Sequence, residues 1–316
     1  MEKLAIIIPA YKDIYLFKTL LSIARQSNTD FNLYICNDNS PYDIEKVLFM
    51  FRNETNMGYK YIKFEENLGS QNLVKHWKRC VDQTHGEEWI WLFSDDDMME
   101  PNCVQDFYNT INTKIKNDIL HFDLTIINSD DNVRSVCRNY SQNMRAETFF
   151  SQLCSGQIDA RMPEFILRRK KFEEIGGYVE FDLAWRSDNA TVIAMSNPFG
   201  VRTIQGSRVL WRYSSDNISG KKANIVISHR KDESTIKFFN WVDEYFKENK
   251  LNYQLSKLRL IRSYTISLSL LSHTFNIGRL WKLSDRFKGL KSVSDRLMFI
   301  AISCYMNIKN LLKSKF

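Results

Sequence analysis

Three consecutive carboxylates, Asp95-Asp96-Asp97, follow the run Trp89-Ile90-Trp91-Leu92-Phe93, which is too apolar to be anything but buried. Two carboxylates 4 Å apart repel by about 4 kcal/mol at an effective dielectric of 20. A folded chain keeps such a cluster only where protons, cations or ligands offset it. Oxygen ligands with no cysteine or histidine nearby favour Mg2+ or Mn2+, which leave positions open for phosphate oxygens. The bland alternative is a solvated acidic turn, or a cap for the helix after Pro101; the buried strand in front of the acids favours the cation. Neither G-x-x-x-x-G-K-S/T nor G-x-G-x-x-G occurs, so phosphate-loop and dinucleotide cradles are excluded. What remains is a nucleotide whose pyrophosphate is clamped by metal and whose base and ribose rest on strand ends.

The elements that must position these groups are legible as alternating patterns. Leu4–Ile8, Phe31–Cys36, Tyr59–Phe64 and Trp89–Phe93 read as buried strands, while Ile14–Gln26, Tyr42–Phe51 and Ser70–Gln83 carry helical spacing. Such alternation predicts right-handed crossovers, a mainly parallel sheet covered by helices, and ligands beyond the carboxyl ends of its strands. The residues there are polar: Asn37-Asp38-Asn39-Ser40 after the second run and Ser94–Asp97 after the fourth. Past residue 120, Leu120–Ile127, Glu164–Leu167 and Val201–Ile204 read as strands, Trp211–Lys222 as a mobile loop, and Ile236–Phe246, Leu255–Leu271 and Ser294–Leu312 as helices. A domain change is expected near residue 225.

Composition sets the outer bounds. With 44% hydrophobic and 26% charged residues in 316, the chain is neither disordered nor a polytopic membrane protein. Its six cysteines, Cys36, Cys80, Cys103, Cys137, Cys154 and Cys304, stand singly, without zinc spacing or a disulfide pattern, so a reduced cytoplasmic compartment is expected. Leu4–Ile8 is too short for a secretory or spanning segment. Charge is unevenly divided: residues 1–229 hold 27 Lys+Arg and 30 Asp+Glu, residues 230–316 hold 17 and 7, giving −3 and +10.

In order along the chain, these motifs resemble the family 2 nucleotide-sugar glycosyltransferases of GT-A fold, over roughly residues 3–220. Ile6-Ile7-Ile8-Pro9-Ala10-Tyr11 looks like that family's first strand and nucleotide-contacting turn. Leu33–Ser40 is similar to its second strand, which implies that Asp38 binds the base; Asn37 stands where an acid is usual. Glu66-Asn67-Leu68-Gly69 resembles the turn that passes near the nucleotide, giving Asn67 and Gly69 that role. Ser94-Asp95-Asp96-Asp97 resembles the DXD element, with Ser94 in place of an acid. Spacing to Pro101 ranks Asp96 first as metal ligand, leaving Asp95 to ribose or a metal-bound water; a second register gives the metal to Asp97. Ile175-Gly176-Gly177-Tyr178 followed by Trp185-Arg186-Ser187-Asp188 resembles the segment carrying the catalytic base, which implies Asp188, with Asp182 as fallback and a helix cap as the bland reading of Asp188.

The resemblance implies an α/β protein of GT-A type, with residues 1–225 as the transferase domain and 226–316 as a basic helical extension. It further implies a nucleotide-sugar donor, UDP-linked by default, Mn2+ or Mg2+, and inverting transfer to a hydroxyl of a glycan or lipid-linked oligosaccharide in cell-surface polysaccharide synthesis. Arg212, in the expected mobile loop, could close over a donor phosphate, with a surface salt bridge as its alternative. Trp185 is read first as core and second as a sugar-stacking ring. Lys75, Lys78 and Arg79 could approach phosphates but read first as a solvated helix face, and His76, His85 and His121 as surface or satisfied interior residues. The tail has apolar runs near 261–271 and 297–308, with Arg279, Lys282, Arg286, Lys288, Lys291 and Arg296 between them. It suits peripheral attachment to an anionic membrane on its cytoplasmic face, or a core or homodimer contact; nucleic acid is not expected. The competing reading is a catalytically inactive nucleotide-sugar-binding protein or membrane-surface scaffold, motivated by Asn37, Ser94 and Ser187.

Overall fold

The computed structural model describes residues 3–213, 225–268 and 276–313, with side chains to 309. Strand β1 (Leu4–Ala10) lies between β2 (Asn32–Asn37) and β4 (Trp89–Leu92), parallel to both. With neighbours on both edges and helices on both faces, its Leu-Ala-Ile-Ile-Ile run is buried throughout, as a central parallel strand requires. Strand β3 (Lys60–Lys63) extends the parallel half, β9 (Phe165–Arg168) runs antiparallel between β4 and β6 (Ile119–Ile127), and β10 (Val201–Arg212) lies parallel to β6. The short β5 (Met98–Met99) closes the order β3-β2-β1-β4-β9-β6-β10-β5. The sheet is therefore mixed, and its direction of winding reverses around β1 and β4, where a crevice opens beyond the strand ends.

Alternate residues of β1 feed two cores. Leu4, Ile6 and Ile8 meet α1 (Leu16–Ala24), α2 (Ile44–Glu54) and α4 (Cys103–Ile111), through Leu20, Phe51 and Phe107. Ala5 and Ile7 face the other core, which contains α3 (Leu73–Val81), α5 (Ala146–Cys154) and α7 (Ser187–Met195). That second core is completed by the tail: α8 (Ile225–Glu248), α9 (Lys257–Ile266), α10 (Ile277–Ser284) and α11 (Val293–Lys313) contribute Phe239, Val242, Phe246, Tyr264 and Phe299. Helix α8, described from Ile225, extends in front of the apolar pattern expected from Ile236, because its first three turns also carry polar residues that face the protein.

Two sequence expectations need correction. Strand β10 does not stop at Ile204 but continues to Arg212, so Trp211 and Arg212 belong to the sheet; residues 214–222 of the expected loop lie outside the described residues. The polar stretch Gln205–Arg208 hid this. It forms a bulge between Ile204 and Val209, with Gly206 at φ 111°, and Asp106 of α4 accepts from the Ser207 amide at 2.9 Å and its hydroxyl at 2.7 Å.

Phe150 of α5 is fully buried against Phe238, Phe239 and Phe246 of α8 and against Tyr253. Phe150→Ala is expected to cost about 3–5 kcal/mol. Urea unfolding followed by tryptophan fluorescence and by helical circular dichroism should still give one coincident transition; two separated transitions would mean that the tail folds apart from the sheet.

Candidate active site

Each of the three acids beyond β4 faces a different part of the chain. Asp95 accepts through Oδ2 from the backbone amides of Tyr11 and Lys12, both at 2.8 Å, tying the end of β4 to the turn after β1. Asp97 is fully buried: its Oδ1 accepts from the Arg212 amide at 2.7 Å, and its carbonyl accepts from the Thr19 hydroxyl at 2.7 Å. Asp96 lies between them and its carboxylate accepts no hydrogen bond from any described residue. Burial, then the charges of Asp97 and Asp95, push its pKa up to about 8; burial raises Asp97 to about 7, against the Arg212 amide and Ser94 hydroxyl. Burial also raises Asp95, against the Lys12 and Tyr11 amides.

Among the described residues, no three His, Cys, Asp or Glu side chains are grouped to hold a metal. The arrangement fits a hard divalent cation of another kind, in which one uncommitted carboxylate is joined by diphosphate oxygens and water. Asp96 is the least committed of the three acids, with Asp97 turned inward as a structural anchor.

Arg212 does not sit in a loop. Fully buried at the end of β10, it donates from Nε to the Asp96 carbonyl and from Nη1 to the Asn128 carbonyl, both at 2.8 Å, and pairs with Asp131 at 2.6 Å. Its guanidinium lies 4.2 Å from the Tyr15 ring centroid. It fixes the backbone of the acidic turn.

At the end of β2, Asp38 is buried and saturated. It accepts from the Leu68 amide at 3.0 Å and the Gly69 amide at 2.8 Å, pairs with Arg79, and lies 3.2 Å from His76 Nδ1. Asn67 closes the same turn by accepting from the Ser70 amide at 2.9 Å. A Cβ on Gly69 would fall 2.5 Å from Asp38 Oδ2, so only glycine allows this approach. Arg79 departs from the solvated-face reading: its guanidinium stacks 3.9 Å from the Phe64 centroid and bonds Asp38, 41 residues away. Asn37, where an acid is usual, bonds Tyr61 and the Ser40 amide. Pro9 and Ala10 end β1, and the Ala10 carbonyl accepts from the Asp38 amide. Tyr11 and Tyr42 are exposed and meet edge to face at 6.0 Å.

Asp188 lies in the first turn of α7, half-buried, with Oδ1 accepting from the Asn189 amide at 2.8 Å. Burial raises its pKa to about 6, against that amide and the charges of Arg186 and Arg161. Glu164, buried and raised well above its ordinary value by desolvation, also senses Asp188. The preceding turn is strained: Leu183, Ala184 and Arg186 have φ of 59°, 52° and 75°, each a placement costing about 1–3 kcal/mol for a non-glycine residue. Ser187 accepts from the Phe181 amide at 3.0 Å, closing that turn. Asp182, the fallback base, is held by both nitrogens of an Arg230 fork, which lowers its pKa. Trp185 is half-buried, with Nε1 donating to the Thr235 hydroxyl at 3.2 Å. The sequence reading joined the β1, β2 and β4 ends but did not foresee the contacts of Lys12, Asp131, Arg161 and Arg230; only Lys12, next to Tyr11, carried a local signal.

The mixed sheet flanked by helices, with its crevice beyond the ends of β1, β2 and β4, has the fold of the GT-A-type glycosyltransferases. The profile of glycosyl transferase family 2 matches residues 5–176, more than half of the chain, and the protein belongs to that family. The structure of S. aureus TarS 1–349 in complex with UDP-GlcNAc is similar at TM-score 0.66 and 15% identity, covering 98% of this chain and 92% of that one. GalNAc-T7 with UDP, GalNAc and Mn2+ is similar at TM-score 0.54 and 10% identity, covering 80% and 55%. At such identities the likeness is one of fold. No curated protein matches the sequence.

The raised Asp96 sets a signed prediction. Because the folded state holds this proton more tightly than the unfolded state, the group's contribution to stability is full below about pH 4 and is lost as pH rises toward 8. Without metal, Asp96→Asn should melt above the wild type at about pH 8.5 and converge with it near pH 4. Added Mn2+ should raise the wild-type melting temperature at the higher pH and leave Asp96→Asn unmoved.

Proposed function

We propose that the protein transfers a sugar from a UDP-sugar, with inversion and in the presence of Mn2+ or Mg2+, to a hydroxyl of a glycan or lipid-linked acceptor in cell-surface polysaccharide synthesis. The observation that carries this reading is the single uncommitted carboxylate of Asp96 at the sheet's switch point. Tyr11 and Tyr42 offer exposed rings for the base. Asp38 acts behind the nucleotide by ordering the Asn67–Gly69 turn, and Asp95 holds the Tyr11-Lys12 backbone toward the ribose and phosphates. When bound at Asp96, the cation supplies Lewis-acid stabilisation of the departing diphosphate. Arg212 and Asp97 keep the acidic turn rigid, so little reorganisation is needed at the moment of reaction.

Asp188 takes the proton of the acceptor hydroxyl as its oxygen bonds the anomeric carbon from the face opposite the leaving group. The bond from that carbon to the β-phosphate oxygen breaks, and UDP departs with the electron pair. A single displacement of this kind inverts the anomeric centre. Partial burial suits Asp188 for the task, because it keeps the carboxylate basic near neutral pH.

No helix among the described residues is long and apolar enough to cross a membrane. Ile277 and Trp281 of α10 and Leu297 and Met298 of α11 are nevertheless exposed, as are Lys282 and Lys291. Exposed apolar and basic residues on these helices support peripheral attachment to an anionic cytoplasmic leaflet that presents a lipid-linked acceptor.

Mn2+-dependent release of UDP from UDP-GlcNAc, UDP-glucose or UDP-galactose tests the activity. Asp188→Asn should lower kcat by about 10²–10⁴ and leave UDP affinity unchanged. In the wild type the rate should rise with pH through about 6, since the base must be ionised. Wild-type turnover in Asp188→Asn, or indifference to divalent cations, would overturn the reading. Sedimentation with phosphatidylglycerol vesicles, but not phosphatidylcholine vesicles, is expected, and Trp281→Glu should abolish it.

A further inference from the structure

The strained turn in front of Asp188 is closed within its own segment by the Phe181 amide donating to Ser187, and it is also gripped from outside. Its outside partners come from one face of α8, the first helix of the basic tail. Arg230 donates from Nε and Nη2 to the two carboxylate oxygens of Asp182, at 2.8 and 2.7 Å. The Ser234 hydroxyl donates to the Asp182 carbonyl at 2.8 Å. The Thr235 hydroxyl accepts from Trp185 Nε1, and the Lys231 ammonium lies 4.3 Å from the Trp185 ring centroid. Phe238 meets Phe181 edge to face at 6.3 Å and lies 5.9 Å from the Arg186 guanidinium. Positions 230, 234 and 238, with 231 and 235 beside them, repeat every four residues and so share a helix face. Ser234 and Thr235 are fully buried there. A polar stripe of this kind, bonded to Asp182 and Trp185 on either side of the left-handed Leu183 and Ala184, is more than a hydrophobic helix contact requires.

We propose that α8 is a working part of the active site, in which Arg230, Ser234 and Thr235 are positioning residues that lock the Asp182–Arg186 turn and thereby aim Asp188. This rests on Asp188 as the base. It makes the tail necessary for turnover independently of any membrane role, because the residues that grip the turn lie on the tail's first helix. An error of about 1 Å in such a group costs on the order of a hundredfold in rate.

Arg230→Ala, Arg230→Lys and Ser234→Ala/Thr235→Val test it alongside Asp188→Asn, in the full chain. Hydrogen exchange at the amides of residues 181–187 should quicken at least about tenfold in Arg230→Ala, with the Tyr11, Lys12 and Gly69 amides unchanged. With whichever of the three UDP-sugars is turned over, kcat should fall at least about tenfold while KM and the Kd for UDP stay within about twofold. Arg230→Lys should recover part of both effects. Unchanged exchange at 181–187, unchanged kcat beside an inactive Asp188→Asn, or a parallel loss of UDP affinity would each overturn the proposal. Should Asp188→Asn keep full turnover, the base assignment fails on its own, and the exchange measurement alone decides whether α8 holds the turn.

Discussion

The site is organised by electrostatic crowding at the end of one buried strand. Three carboxylates in sequence repel one another strongly where water is scarce, and the fold separates their tasks by giving each a different environment. Asp95 is pinned by amides of the turn after β1 and Asp97 by an amide from β10, which leaves Asp96 with an unfilled need for positive charge. The same bonds carry structural load: β1, β4 and β10 are registered to one another at the crevice by these side chains as well as by the sheet ladder. Arg212 extends the arrangement by bonding the Asp96 carbonyl and the Asn128 carbonyl and pairing with Asp131. An open carboxylate on a rigid turn needs little reordering to take a ligand.

The nucleotide side follows the same logic with a different balance. Asp38 is buried but compensated by two amides and a guanidinium, so its charge is spent on shaping the Asn67–Gly69 turn. Asn37 and Ser187, which stand where acids are usual, each make defined bonds to neighbouring backbone, and these departures read as local refits of the scaffold. On the acceptor side, Asp188 is raised by burial and held at the start of α7, while Asp182 is drawn into an ion pair with Arg230. Two nearby carboxylates thus have pKa values pushed in opposite directions by their surroundings.

Much of the parallel half was legible because a strand buried on both faces must be apolar along its whole length, and polar residues at its end then mark the crevice. Leu4–Ile8, Phe31–Cys36 and Trp89–Phe93 each obey that rule, and the strands lie there with ends shifted by a residue or two. Strand β10 broke the rule, since Gln205–Arg208 has the composition of a loop and is kept in the sheet by Asp106 and Glu100, about a hundred residues earlier. Arg79 was illegible for a similar reason: a cation on an amphipathic helix is ordinarily solvated, and only the approach of Asp38 draws it inward.

The sequence by itself determined the alternation of strands and helices, the crevice at the ends of β1, β2 and β4, and the set of acids from which site residues are drawn. These depend on short-range patterns: burial on two faces, helical spacing, and charges adjacent in the chain. Tertiary structure alone decided which of Asp95, Asp96 and Asp97 is left uncommitted, that Arg212 is a buried strut, and that the tail grips the turn before Asp188. Those outcomes depend on amides, guanidinium groups and hydroxyls brought together across 48 to 116 residues, and no local pattern encodes a contact whose partners meet only once the sheet has formed.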